Sequence, residues 1–339
     1  MGEQEAKLDE ATAGQAEPEL LYHYTDQKGL LGILGGTEKC IWATHLQYLN
    51  DTSEGQIFTE LLLDELNRRA ATDPEKASSN ITAMGRLLGL SIDQADHQNE
   101  TLYIGSSAFS WITNQSTFVT SFSAHGNLLS QWRAYSGGAG GCSIGLRRSY
   151  LKSAGVNFLE VRKESFYDDS DPLVACRYCD KPEEEGLKHT IRQIMDSYIS
   201  SANQSKRQTN PETQTIEEKN HEIREISAIA MEHFFPLGKQ RAMTKDQAFH
   251  EEAEWRLVFQ LERTGTTDSQ PEFRPGRSML TPYFKVPLEW KNQPIEIKKI
   301  YVGPCPHEKE AVKSVQMLLW KHGISGVDVE YCKIPYRNW

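Results

Sequence analysis

At 339 residues, with 38% hydrophobic and 25% charged side chains, the chain has a globular composition and the length to bury a large core. Its 37 basic and 47 acidic side chains leave a net charge of −10, which argues against non-specific nucleic-acid binding as a main role. No apolar run approaches the roughly 18 residues of a membrane span, and six scattered cysteines are too few for a disulfide scaffold, so a reduced cytoplasmic protein is expected.

Residues 1–19, MGEQEAKLDEATAGQAEPE, are small and acidic and lack the basic start and apolar stretch of a secretory signal; they read as a disordered tail. Residues 20–339 then read as one domain. LLYHYT is a strand, after which Thr25 and Asp26 cap a helix that carries Leu30, Leu31, Ile33 and Leu34 and stops at Gly35-Gly36. CIWATH is a second strand, broken by Asn50-Asp51, and Ser53 caps an amphipathic helix from Glu54 to about Arg69. A polar connection with helical patches fills 70–115.

STFVTSFS has the Thr, Val, Phe and Ser of a strand and LLSQWRAY the pattern of a short helix. The glycines of SGGAGG suit tight turning or a close approach to a ligand, and CSIGL is again strand-like. A helical insertion is expected over 181–235, where Ile191, Ile194, Met195 and Tyr198, then Ile223, Ile226, Ala230 and Phe234, recur in steps of three and four. EAEWRLVFQLE and IEIKKIYV are strands, a helix runs from about His307 to His322, and VDVEYCKI is the last strand. Strands flanking a helix-rich middle give an α+β fold.

Cys176 and Cys179 in CRYC have the spacing of metal ligands. A structural zinc needs about four, and no second CxxC or HxxxH supplies the rest, Cys305 and His307 being the nearest candidates; no metal site is assigned.

Three segments carry side chains that a plain core does not require. In LYHYT, alternation sends His23 and Thr25 to one face and Tyr22 and Tyr24 to the other. In TSFS, Ser121 and Ser123 share a face that can line a polar pocket or a solvated edge. In HEEAEWRLVF, Glu252, Glu254 and Arg256 share a strand face, so that Glu254 is either half of a structural ion pair with Arg256 or a carboxylate positioned in a cleft. Arg133 adds a planar donor fork suited to carboxylate or phosphate, and Tyr135 lies close to it. No GxSxG elbow, P-loop, HExxH or dinucleotide-binding glycine pattern competes.

LYHYT, WATHLQYLNDTSE, TSFS with LLSQWRAY, FHEEAEWRLVF and IPYR, in that order over about 20–337, resemble the bacterial domain-of-unknown-function family 2971. The His strand, the Ser-rich strand and the ExE-like glutamate are also similar to the site of ADP-ribosyltransferases, although the first strand reads HYT where HGT is frequent. That second resemblance implies a mixed, split β-sheet with NAD as substrate lying across it. It assigns His23 and Thr25 to a ribose, Ser121 and Ser123 to the nicotinamide side, and Glu254 to the catalytic role. Tyr24, Tyr48 or Tyr135 would stack on nicotinamide.

The implied function is ADP-ribosyl transfer from NAD to a protein or nucleic-acid acceptor, as in a toxin-like or defence-related effector, or NAD hydrolysis where water is the acceptor. The alternatives are a non-catalytic module that binds a nucleotide or partner peptide, and an interaction protein in which these residues are structural.

Overall fold

The computed structural model describes residues 17–49, 58, 60–62, 64–65, 68–69, 117–138, 140–162, 171–179, 185–206, 238–261, 270–276, 278–291 and 293–337. The expected connection 70–115 and part 207–235 of the helical insertion lie outside them.

The strands are β1 (Leu20–Thr25), β2 (Cys40–His45), β3 (Thr117–Ser123), β4 (Cys142–Arg147), β5 (Leu173–Ala175), β6 (Arg177–Cys179), β7 (Thr244–Asp246), β8 (Glu254–Gln260), β9 (Glu272–Pro275), β10 (Leu280–Pro287), β11 (Ile297–Val302) and β12 (Asp328–Tyr331). Ten of them build one mixed sheet in the order β12-β11-β4-β1-β3-β2-β10-β9, with β8 bonded to β3 and β5; β6 and β7 pair separately. All pairs in the large sheet are antiparallel except β11 with β12, which are joined through a helix, as a parallel crossover requires.

The sheet forks at β3. β8 runs along one edge of it, from Thr117 opposite Gln260 to Ser123 opposite Glu254, so β1 and β2 must share the other edge. β2 takes Phe118 and Val119, whereas β1 takes Ser123. From there β2 leads to β10 and β9, and β1 leads to β4, β11 and β12.

Alternation gives the sheet two unlike faces. On one, Leu21, Phe122, Ile144, Leu146, Leu257, Phe259, Phe284 and Ile300 join a single apolar cluster. Each such side chain contributes roughly 1.5–3 kcal/mol by leaving water. Three helices cover it: α1 (Gln27–Gly35), capped by Asp26, whose carboxylate accepts from Gly29 N at 2.7 Å; α3 (Arg148–Arg162), burying Tyr150, Leu151, Ala154, Phe158 and Leu159; and α5 (Glu308–Lys321), burying Val315 and Leu319. Gly155 lets α3 approach β8 closely: a Cβ there would lie 2.8 Å from Leu257 Cδ2 and 3.0 Å from Pro172 Cγ. Sequence alone missed α3, because the glycine-rich stretch before it masked its start.

The other face is polar and carries Tyr22, Ser121, Ser123, Glu254, Arg256, Thr44, Trp42, Tyr283, Lys299 and Tyr301, as the registers of β1, β2, β3, β4, β8, β10 and β11 require. Near the fork it is covered by the 238–246 segment, where Ala242 packs with Leu46, Val119 and Val258. Two further helices are α2 (Leu129–Tyr135), whose Trp132 packs on Tyr24, and α4 (Glu185–Lys206), which falls within the expected insertion. Described positions within 58–69 are helical. Among the described residues no helix is long and apolar enough to cross a membrane.

Candidate functional site

Ser121 occupies the gap of the fork, between the pairings of Val119 with Thr44 and of Ser123 with Tyr22. Side chains replace the missing ladder bonds there. The His23 Nδ1–H donates to the Ser121 carbonyl at 3.0 Å, and the Thr120 hydroxyl donates to the Trp42 carbonyl at 3.1 Å. The bond to a carbonyl fixes the His23 proton on Nδ1 and leaves the Nε2 lone pair as an acceptor. Loss of solvent lowers the His23 pKa from 6.5 and outweighs the opposing hydrogen bond to Ser121. Because the unfolded chain takes up this proton near 6.5 and the folded chain only at lower pH, the site costs stability as pH falls below 6.5. A side-chain 15N spectrum should therefore show His23 protonated at Nδ1 and bare at Nε2, and staying neutral to lower pH than in the unfolded chain; protonation at Nε2 instead would contradict the fork geometry.

The three segments singled out in the sequence thus lie on three neighbouring strands, β1, β3 and β8. Their side chains are divided between the two faces. His23 stands with Leu21 on the core face, its ring 5.9 Å from that of Phe122, while Ser121, Ser123 and Glu254 are on the polar face. The Ser121 hydroxyl is partly exposed and has no hydrogen-bond partner among the described residues. The Ser123 hydroxyl is committed: it donates to Glu252 O at 2.7 Å and accepts from His125 N at 3.0 Å.

Glu254 anchors a buried charge cluster. Its Oε1 accepts from Arg256 Nε at 2.7 Å; its Oε2 accepts from Lys245 Nζ at 2.8 Å and Arg256 Nη2 at 3.1 Å. Lys245 also donates to Glu252 at 2.7 Å, and Arg256 Nη1 to Ala242 O at 2.7 Å. Glu254 and Lys245 are each 6% exposed and Arg256 only 1%, so each charge depends on the others. Burial alone would raise the Glu254 pKa, but the Arg256 and Lys245 charges and their hydrogen bonds hold it well below the usual carboxylate range. The same carboxylates raise the Lys245 pKa against its own burial.

The sequence suggested Arg256 as the partner. It missed Lys245, which reaches Glu254 from β7, and Tyr178, whose hydroxyl accepts from Glu254 N at 2.6 Å. It also extended the strand too far: Glu252 belongs to the 3-10 helix Gln247–Glu252, and Ala253 follows in a left-handed conformation (φ 40°) before β8 begins. A non-glycine residue in that region stores strain, and here it separates the two glutamates that share Lys245.

Residues 131–257 match the family model "Protein of unknown function (DUF2971)". The DUF2971 match takes in Arg133, Tyr135, Lys245, Glu254 and Arg256, whereas His23, Thr25, Ser121 and Ser123 precede it. It supports the resemblance to that family. No curated protein and no solved structure matches the chain.

Within the DUF2971 stretch, Arg133 is exposed on α2, its guanidinium 5.2 Å from the centroid of the Tyr336 ring, and Tyr135 is exposed at the end of the same helix. Arg133 is thereby tied to the C-terminal segment, on the β1 side of the fork. Gly137 and Gly140 of SGGAGG adopt left-handed φ of 67° and 70°, turning the chain tightly against Asp26 and Gln27. Thr25 is partly buried at the end of β1. Tyr24 is buried, donating to His125 O at 2.7 Å and accepting from Leu128 N at 2.9 Å, and Tyr48 packs edge-on against His45. Cys176 and Cys179 are buried and form no disulfide, and among the described residues no three His, Cys, Asp or Glu side chains are grouped to hold a metal ion.

Proposed function

We propose that the fork is a NAD site and that the protein is an ADP-ribosyltransferase-like enzyme, with Glu254 as the carboxylate facing the ribose and a protein or nucleic-acid nucleophile, or water, as acceptor. The observation that carries this reading is that Ser121 and Glu254, from segments over 100 residues apart, share the polar face of adjacent strands where the sheet divides, with His23 of β1 holding the Ser121 carbonyl from the other side.

Glu254 and Ser121 both have capacity left for a ligand. Three of roughly four acceptor directions of Glu254 are used, so one on Oε1 is free for a ribose hydroxyl. The Ser121 hydroxyl, on the same face as Glu254, can bond the carboxamide, and His23 positions Ser121 by donating to its carbonyl from the opposite face. When the nicotinamide–ribose bond breaks, its electron pair leaves with nicotinamide and positive charge develops on the ribose. A carboxylate held ionised stabilises that charge more than the ground state. The acceptor then bonds to the ribose carbon and gives up its proton.

A second reading rests on the completeness of the Glu254 ion pairs. A carboxylate already matched by two cations adds less to a cationic transition state, and the same fork would then bind a nucleotide without turnover.

Glu254→Asp separates the two, since it keeps the charge for Arg256 and Lys245 while withdrawing the carboxylate by one methylene. On the first reading wild type releases nicotinamide from NAD, and Glu254→Asp, shown to be folded, is slower by roughly a hundredfold. NAD binding with no nicotinamide release, even when lysate supplies acceptors, selects the second reading. Absence of binding overturns both.

A further inference from the structure

On the β2 arm of the fork, the polar face carries a second constellation that the NAD reading does not use. Trp42 on β2, Tyr283 on β10 and Arg274 on β9 lie on one face by register, two strands of it reached directly from Ser121 through Thr44. The Trp42 and Tyr283 rings are 4.6 Å apart, and the Arg274 guanidinium carbon stands 5.3 Å from the Trp42 centroid. Trp42 nevertheless keeps 41% of its surface exposed, so an aromatic platform remains open beside a stacked cation.

That cation lacks its expected counter-charge. Glu272 is two residues away on the same strand face, yet its Oε1 is held by Lys285 Nζ at 2.8 Å and its Oε2 accepts from the Tyr283 hydroxyl at 3.0 Å. Arg274 has one long contact, Nη2 to Thr44 Oγ1 at 3.4 Å, and its Nε–H is buried with no hydrogen-bond partner. A guanidinium offers five donors in a rigid fork, and with Glu272 committed elsewhere and only one long contact at Nη2, the two Nη groups have donors left for an acceptor that is not part of the described chain. Glu272 is kept from neutralising it.

The geometry points to Arg274 as the phosphate-binding residue of a nucleotide subsite, with Trp42 as the stacking surface for its ring system. A phosphate meets the donor fork bidentately, which a single hydroxyl or amide cannot. The subsite adjoins the fork but rests on its own contacts. For the identity of the nucleotide as the ADP part of NAD it rests on the reading proposed above.

The test compares ADP-ribose, adenosine and inorganic phosphate as probes, by calorimetry, on wild type, Arg274→Gln, Arg274→Lys and Trp42→Leu, with thermal unfolding to confirm that each variant is folded. ADP-ribose should bind wild type and lose at least tenfold in affinity with Arg274→Gln. Arg274→Lys should not restore it, since an ammonium lacks both the fork and the flat face. Adenosine binding should be weakened by Trp42→Leu and indifferent to Arg274→Gln, and phosphate should compete with ADP-ribose in wild type alone. Equal ADP-ribose affinity in wild type and Arg274→Gln, or no ADP-ribose binding to wild type, overturns the assignment. ADP-ribose binding that depends on Arg274 in a protein that never releases nicotinamide leaves the subsite standing and rejects NAD cleavage.

Discussion

Replacing Glu254 by glutamine should lower the unfolding free energy by about 3–5 kcal/mol, because it leaves the Arg256 and Lys245 charges in a dry site with one carboxylate, Glu252, between them. For a chain of this size that is a drop in Tm on the order of 10 °C, readable by scanning calorimetry. The cost comes from stranding the cations more than from losing attraction. Glu254→Leu combined with Arg256→Met should therefore recover at least half of the loss, with Lys245 keeping Glu252 as its partner. A glutamine variant within 1 kcal/mol of wild type would mean that the cluster is not dry. This cost is why the catalytic role is better probed with aspartate, which preserves the charge.

Trp132→Ala should be comparably damaging, at about 3–5 kcal/mol. Trp132 is fully buried and packs edge-on against Tyr24 with ring centroids 4.9 Å apart. Its Nε1–H donates to Asn127 Oδ1 at 2.9 Å, and Asn127 Nδ2 in turn donates to Cys332 O at 2.7 Å. The indole thus ties α2 to β1 and, through Asn127, to the segment after β12. Trp132→Phe keeps most of the volume and loses only the hydrogen bond, so it should cost roughly 1–3 kcal/mol. Equal losses for the two variants, by chemical denaturation, would show that the hydrogen-bond relay and not the packing matters.

The strand and helix periods of β1, α1, β3, α2, β8 and α5 were legible because each has its own punctuation, such as Asp26 before α1 and Gly36 after it. The β9–β10 hairpin was not. Pro275 and Pro282 argue locally against strands; Pro275 is accommodated because β9 lies at the edge of the sheet, and Pro282 precedes the β10–β2 register, which begins at Tyr283 opposite Thr44. Arg274 and Trp42 were hidden for the same reason, since their meeting depends on a pairing that the prolines disguise. At the fork the sequence pointed to His23, Ser121 and Glu254 from chemical oddity alone. It could not show that His23 stands on the opposite face from Ser121, nor that Lys245 reaches Glu254, because both follow from strand order rather than from local pattern. The left-handed Ala253 likewise carries no local signal, for alanine seldom adopts that conformation.

The most direct test of the NAD site is a titration of NAD into protein labelled with 15N at histidine side chains. His23 bonds to Ser121 inside the fork, so its Nδ1 and Nε2 resonances report on that point of the sheet alone. The account predicts that NAD moves the Nδ1 resonance of His23 in a saturable way, through the Ser121 carbonyl that it bonds, and that Ser121→Ala weakens the response. Saturable NAD binding that leaves both His23 nitrogens unmoved would place the ligand elsewhere and contradict the account.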